Sequence, residues 1–348
     1  MPSLFKTILQ FILFLGLGIV IMWWIFHQQS LTYHTYCVQN NISAEDCNLW
    51  KKLYADIKTV HWPLIACVFV SFIISNLSRA KRWQIIFSSI GNKIHYINSF
   101  GAVLVAYLVN LGIPRSGEFV RAGLISKYEN ISFDKSFGTI ILDRIIDMIC
   151  MCLLIGVFIL LQWNVFLRFY NEQFSSESLF KKIAPLLLIF GFFAFLYFTR
   201  SIWRNWKLAR WLSNKIKGLM EGILAIRTLD RPFSFVFHTV IVWVGYYMML
   251  FFALKAFPPT SQISPLETLG VYVFGAMGMV VPTPGGMGSY QFLIIMALSY
   301  YGINEVDAFS FSNIAFFSAQ FATNIILGIF GFALLSWFNK KEKQFIST

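Results

Sequence analysis

Two apolar stretches, each suited to a bilayer, are cut near their centres by proline and glycine, and no other feature restricts the fold so sharply. The first runs from Phe100 to Leu111 into Gly112-Ile113-Pro114-Arg115-Ser116-Gly117-Glu118 and resumes at Phe119. The second runs from Leu269 to Val281 into Pro282-Thr283-Pro284-Gly285-Gly286-Met287-Gly288 and resumes at Ser289. Lipid offers no hydrogen bonds to an unwound backbone, so such a break survives at membrane depth only when it is packed in protein or lines a wet cavity. A matched pair of breaks in two halves of a chain points to a binding site near the midplane.

Composition agrees with a membrane setting. The chain is 57% hydrophobic and 13% charged, with a mean hydropathy of +0.65, which excludes a soluble globular domain. A helix needs roughly 20 apolar residues to cross. The candidate spans are Leu4 to Phe26, Trp62 to Leu77, Phe137 to Leu161, Ile183 to Phe198, Phe233 to Phe257 and Ala308 to Phe338. Leu4 to Phe26 reads as a span rather than a signal peptide, because its apolar run is long and no small-residue cleavage site follows.

The net charge of +12 is concentrated in a few loops, which suits cytoplasmic loops and an anionic lipid surface; nucleic acid is not an expected partner. Arg79, Lys81, Arg82 and Lys93 follow the second span, eight basic residues from Arg200 to Arg231 fill a central linker, and Lys340, Lys341 and Lys343 close the chain. The positive-inside rule puts all three groups, and both termini, in the cytoplasm of a cell whose plasma (bacterial inner) membrane holds the protein. The segment from Ile97 to Ser126 must then enter and leave from inside, and Ser264 to Leu298 from outside. Each is read as a re-entrant hairpin, although four short full spans would keep the same parity. The expected fold is an all-α polytopic integral membrane protein with about six full spans and two re-entrant helical hairpins in a pseudo-inverted repeat. It is one transmembrane domain over 1–348, with a first half about 1–198, an amphipathic linker about 199–231 and a second half about 232–338. In that linker Leu208, Leu212, Ile216, Leu219, Ile223 and Ile226 recur at helical spacing between basic residues.

Cys67, Cys150 and Cys152 sit in apolar runs and read as packing residues. Cys37 and Cys47 lie in the loop after the first span, where a disulfide and two free thiols are both open readings. The five histidines lack metal-ligand spacing, and neither metal nor cofactor is expected.

Asp143, Arg144 and Asp147 stand near the start of an apolar span, within one broad sector of the helix. A charge deep in lipid costs roughly 2.5 to 3.5 kcal/mol on insertion scales, so these side chains must face protein or the headgroup boundary. Arg115, Glu118 and Arg121 recur at spacings of three across the first break. Arginine matches a phosphate bidentately, and helices starting near Ser116 and Gly285 would present free N–H groups to an anion. The alternative is that these six charges pair among themselves and lock helices together.

At these residues the chain resembles the transmembrane, flippase-like domain of the lysylphosphatidylglycerol synthase/flippase family, of the UPF0104 type. That family carries P-x-R-x-G-E-x-x-R, then E-R-x-x-D, then P-x-P-G-G-x-G-x-x-E. The first is matched by Pro114 to Arg121, one residue tighter between proline and arginine; the second by Asp143-Arg144-Ile145-Ile146-Asp147, with Asp for Glu. The third is matched from Pro282 to Gly288, with Gln291 in place of the usual Glu, which undercuts any role needing charge there. The resemblance, over roughly Leu4 to Phe338, implies a lipid-translocating membrane protein. Fusion members also carry a soluble aminoacyl-transferase domain; little chain follows Phe338 here, so lysyl transfer is not expected and the chain is read as no enzyme.

The expected function is therefore translocation or binding of a polar or phosphate-bearing lipid headgroup. The alternatives are a membrane-embedded lipid-modifying enzyme and a non-transporting partner of a lipid glycosyl- or aminoacyl-transferase. The expected substrate-binding set is Arg115, Glu118, Arg121, Asp143, Arg144, Asp147, Pro284, Gly285, Gly286, Gly288 and Gln291. Expected partners are membrane lipids with anionic or zwitterionic headgroups, and a second copy of the chain or a lipid-synthesis enzyme. No nucleotide-binding G-x-x-x-x-G-K-[ST] sequence is present.

Overall fold

The computed structural model describes residues 47–174, 229–281, 283 and 286–346, with scattered positions between 23 and 38. The expected span at Ile183 to Phe198 and the linker helix lie outside the described residues, as does Leu4 to Phe26 apart from Trp23 and Phe26. What is described is helical throughout, without strands, and four of its helices are long and apolar enough to cross a membrane.

A long antiparallel pair forms the frame. Helix α1 (Leu49–Thr59) leads into α2 (Trp62–Ser89), and α7 (Pro232–Ala256) packs along it. The His61 N–H donates to the Ala256 carbonyl (2.8 Å) at one end, and Ser88 Oγ to Asp230 Oδ2 (2.8 Å) at the other. Midway, Ser75 Oγ donates to the Val242 carbonyl (3.0 Å). A Cβ on Gly245 would lie 2.8 Å from Ser75 Cβ, so the helices approach this closely because neither carries bulk there.

Two helical hairpins are set against this frame. The first is α3 (Tyr96–Gly112) and α4 (Gly117–Glu129), separated by the expected break. Helix α3 runs antiparallel to α2, with Ser99 Oγ bonded to the Ala80 carbonyl and the Tyr107 ring against Phe72. Helix α4 returns to its starting level, where Glu129 accepts from His95 N–H (2.9 Å) and Asn98 Nδ2 (2.7 Å). The feet of this hairpin therefore stand near the Ser89 end of α2. Arg115 occupies the turn with φ +61°, a left-handed conformation that ordinary residues rarely adopt.

Helix α5 (Phe133–Leu161) and the short α6 (Trp163–Phe174) follow the first hairpin. The second hairpin is α8 (Pro265–Val280) and α9 (Ser289–Tyr300), after a capping box in which Ser264 and Glu267 exchange hydrogen bonds. Its feet stand at the Ala256 end of the frame: Tyr247 Oη donates to the Pro265 carbonyl (2.7 Å), and Gln162 joins Leu266 to Tyr301. The hairpins thus start from opposite ends of the α2–α7 pair. The glycines at 275 and 278 let their arms close, since a Cβ at either would meet α9 within 3 Å.

The last span is α10 (Glu305–Ala315), a wider π-helical turn (Phe316–Ala322) and α11 (Thr323–Ile346). Helix α11 packs antiparallel on α3, joined by Asn98 and Asn339 and by the opposition of Gly101 and Gly331. The larger apolar core lies around α7 to α10, and a smaller one, with Trp83, Phe87, Ile125 and Ile140, lies between α2, α4 and α5.

Three expectations are corrected. The second span does not stop at Leu77: α2 continues to Ser89, so Arg79 and Arg82 lie on a buried helix rather than in a loop. Cys152 is exposed on α5, so it does not pack the interior. Helix α9 begins at Ser289, not near Gly285. The open question at Cys37 and Cys47 closes as a disulfide.

Candidate functional site

A cluster of seven ionised side chains lies where α2, α4 and α5 converge. Asp143 is fully buried and accepts from three arginines: Arg82 Nη2 (2.5 Å), Arg121 Nη1 (3.1 Å) and Arg79 Nη1 (3.2 Å). Asp147, one turn further along α5, accepts from Arg82 Nη2 (2.8 Å) and Arg79 Nη1 (2.9 Å), and Arg144 Nη1 stands 3.6 Å away. Glu118 Oε1 forms an ion pair with Arg144 Nη2 (3.2 Å). The Arg121 guanidinium stacks on Trp83, with Cζ 3.6 Å from the ring centroid, and the indole N–H donates to Thr139 Oγ1 (3.0 Å).

The charges do not balance. Arg79, Arg82, Arg121 and Arg144 supply four positive charges, since guanidinium does not deprotonate in proteins, against three carboxylates. The hydrogen bonds do not close either. Among the described residues no partner meets Arg79 Nε, Arg121 Nε, Arg121 Nη2, Arg144 Nε or Glu118 Oε2, all buried. Unpaired polar groups in a dry interior are costly, and a group of them calls for a ligand or water.

These groups surround a small cavity. Its volume is about 10 Å³, and its walls are Arg79, Arg121, Arg144, Glu118, Asn110 and Tyr107, with Val103 and Ala106. That volume admits roughly one water or one oxygen-sized group. The Tyr107 hydroxyl is tied to that of Tyr246 (2.7 Å), which anchors this wall to α7.

Of the expected site residues, Glu118, Arg121, Asp143, Arg144 and Asp147 come together here. They do pair among themselves, as the alternative reading had it, but the pairing leaves one positive charge and several donors over. Arg115 is not in the cluster: it sits at the tip of the first hairpin, exposed, and its Nη2 donates to the Val280 carbonyl (2.8 Å) at the tip of the second. Gly286 and Gly288 take positive φ values (+81° and +87°) in the second break. Gln291 is fully buried, and its Oε1 accepts the Gly288 N–H (2.7 Å). Pro284 and Gly285 lie outside the described residues.

The helix starts are less open than expected. The Gly117 N–H is taken by Asn110 Oδ1 (2.8 Å), and Gln291 occupies the equivalent position in front of α9. In the cluster, guanidinium groups supply the unpaired side-chain donors, and at the second break Gln291 Nε2 is a further one among the described residues.

Sequence reasoning missed Arg79 and Arg82, which hold both aspartates. A signal was present: Ser71, Ser75, Ser78, Arg79 and Arg82 recur at three- and four-residue steps and extend one polar face past Leu77. Reading them as a loop followed from weighing their charge above their period.

Among the described residues, four membrane-length helices, two hairpins and an arginine–carboxylate cluster where α2, α4 and α5 converge define a polytopic membrane protein with a buried polar site. The chain belongs to the lysylphosphatidylglycerol synthase TM region family, whose model matches residues 48–337. It is also similar to a UPF0104 membrane protein of Methanothermobacter thermautotrophicus, at 22% identity over 265 residues, covering 69% of this chain and 76% of that protein. No solved structure matches the chain.

Proposed function

We propose that this protein is flippase-like: it binds the phosphate-bearing headgroup of a membrane lipid between the two hairpins and passes it across the bilayer while the acyl chains remain in lipid. In this reading the hairpins are re-entrant from opposite faces, as in an inverted repeat, and the broken tips carry unwound backbone to the membrane's interior. Both termini, the basic linker and the Ser89 end of α2 face the cytoplasm, in the plasma membrane of a bacterial cell.

One observation carries the proposal: buried, unpaired arginine donors with one positive charge in excess line a cavity beside the first break. A phosphate monoanion that reaches one oxygen into this cavity would neutralise that charge and accept guanidinium bonds, and such charge-assisted bonds are about twice as strong as neutral ones. Arg121, Arg144 and Arg79 would hold phosphate, while Asp143 and Asp147 fix the arginine geometry. Arg115 and the second break, with Gly286, Gly288 and Gln291, would form the moving contact between the tips.

The test is a reconstituted vesicle assay of labelled-lipid accessibility. Lipids with phosphate headgroups should exchange between leaflets faster than in empty vesicles, and an Arg144→Gln variant should abolish the gain. Rates equal to those of empty vesicles for every phosphate-bearing lipid tried would reject the reading.

A further inference from the structure

The three carboxylates of the cluster are not held alike. Asp143 has three arginine partners and Asp147 two at bonding distance, both on a long helix braced by α2. Glu118 has one, at 3.2 Å, and its second oxygen is buried without a partner among the described residues. It stands on the first turn of α4, two residues beyond Ser116 and next to the break. Its partner is also the most accessible of the four cluster arginines: the Arg144 side chain is 41% exposed, against 4%, 0% and 2% for Arg79, Arg82 and Arg121.

We propose that Glu118 is an internal competitor for the anion: its carboxylate occupies Arg144 in the empty state and gives it up when an anionic group enters the cavity. The geometry supports the exchange on both sides. Glu118 and Arg144 line the same cavity, so an entering oxygen anion meets the pair directly. Arg144 Nε is unpaired and Glu118 meets Nη2 only as an ion pair at 3.2 Å, so a phosphate can take Nε and Nη2 together in hydrogen bonds that Glu118 does not make. Bidentate capture outcompetes the lone ion pair. As the anion's contact loosens, the carboxylate competes for Arg144 and limits the charge excess to one, which speeds release.

This rests on the lipid reading only for the identity of the anion. The experiment compares native protein with Glu118→Gln, which keeps the side chain's shape and removes its charge, in a maltoside detergent that carries no phosphate. One arm contains phosphatidylglycerol, read by native mass spectrometry of retained lipid; the other contains inorganic phosphate, read by titration calorimetry. Glu118→Gln raises the cluster excess from one positive charge to two, so anion affinity should rise about tenfold, which is ~1.4 kcal/mol, and dissociation should slow. In vesicles the variant should then show tighter retention with slower exchange.

Tightening in the phosphatidylglycerol arm supports both the competitor role and the lipid reading. Tightening in the inorganic phosphate arm alone supports the competitor role and counts against a lipid headgroup. Affinity unchanged or weakened in both arms, with Glu118→Gln unfolding at the native temperature and Arg144→Gln abolishing binding, overturns the proposal while leaving the anion site itself standing.

Discussion

Arg115 Nη2 donates to the backbone carbonyl of Val280 at 2.8 Å, and this bond joins the tips of two hairpins whose feet stand at opposite ends of the α2–α7 pair. Neither tip is a regular helix. Arg115 holds φ +61°, and the chain beyond Val280 passes through two glycines of positive φ before α9 begins. A joint between two unwound segments can open without breaking a helix, which suits the moving contact of the proposed transport.

Arg115 therefore separates stability from transport. A non-glycine residue in the left-handed region costs about 1–2 kcal/mol, and glycine does not bear it. Arg115→Gly should unfold at the native temperature or higher in detergent yet lose lipid exchange in vesicles. A variant that exchanges lipid at the native rate would remove the tip contact from the mechanism.

Asp143 tests the cluster as a structural network. Its loss leaves three buried guanidiniums without their shared acceptor, and breaking a buried ion pair in this way costs about 3–5 kcal/mol. Asp143→Asn should lower both the yield and the thermal midpoint. Adding Arg82→Gln removes one of the stranded charges and should recover part of the loss, a coupling that a double-mutant cycle measures. Additive effects of the two changes would show that these side chains do not act together.

The α3–α11 contact depends on the absence of a side chain. A Cβ on Gly331 would lie 2.8 Å from Leu104 Cβ and 3.1 Å from the Gly101 carbonyl. Gly331→Leu should destabilise the protein by about 1–3 kcal/mol through overpacking, seen as a lower midpoint in detergent, whereas Gly156→Leu, where a Cβ meets open space, should change little.

At the end of the molecule that carries the second hairpin's feet, Lys52 clamps α1 to α10 through Asp56 (2.8 Å) and Asp307 (2.8 Å). Burial pulls the Lys52 ammonium down, and the hydrogen bonds and charges of Asp307 and Asp56 more than reverse it, so its pKa is raised above 10.5. A raised lysine pKa contributes stability that is fully present below the unfolded value and disappears as pH climbs through the folded one. The difference in thermal midpoint between native protein and Lys52→Met should stay constant from neutral pH to about pH 10 and shrink above it. A difference that already fades near neutral pH would contradict the clamp.

Much of the architecture was legible in the chain because membrane folding has few local solutions. Spans at Phe137 to Leu161 and Phe233 to Phe257 appear within a few residues of their expected bounds, and both breaks fall where proline and glycine put them. The glycines at 275, 278, 328 and 331 sit at close contacts. Boundaries failed where charge was weighed above period, at Arg79 and Arg82. The disulfide between Cys37 and Cys47 could not be chosen from spacing, since ten residues of separation allow the bond without requiring it.

The sequence by itself determined that the chain is helical and membrane-embedded, where two of its segments must break, and that Asp143, Arg144 and Asp147 must turn away from lipid, because each of these follows from the local cost of unpaired backbone or charge in a hydrocarbon. Only the tertiary structure decided what those residues face. Helical periodicity places a side chain on one side of its own helix, but the partner is a neighbour chosen by packing: Arg82 lies 61 positions from Asp143, and Val280 lies 165 from Arg115. Those distant pairings leave one arginine's charge uncompensated beside the cavity, and no local pattern records that remainder.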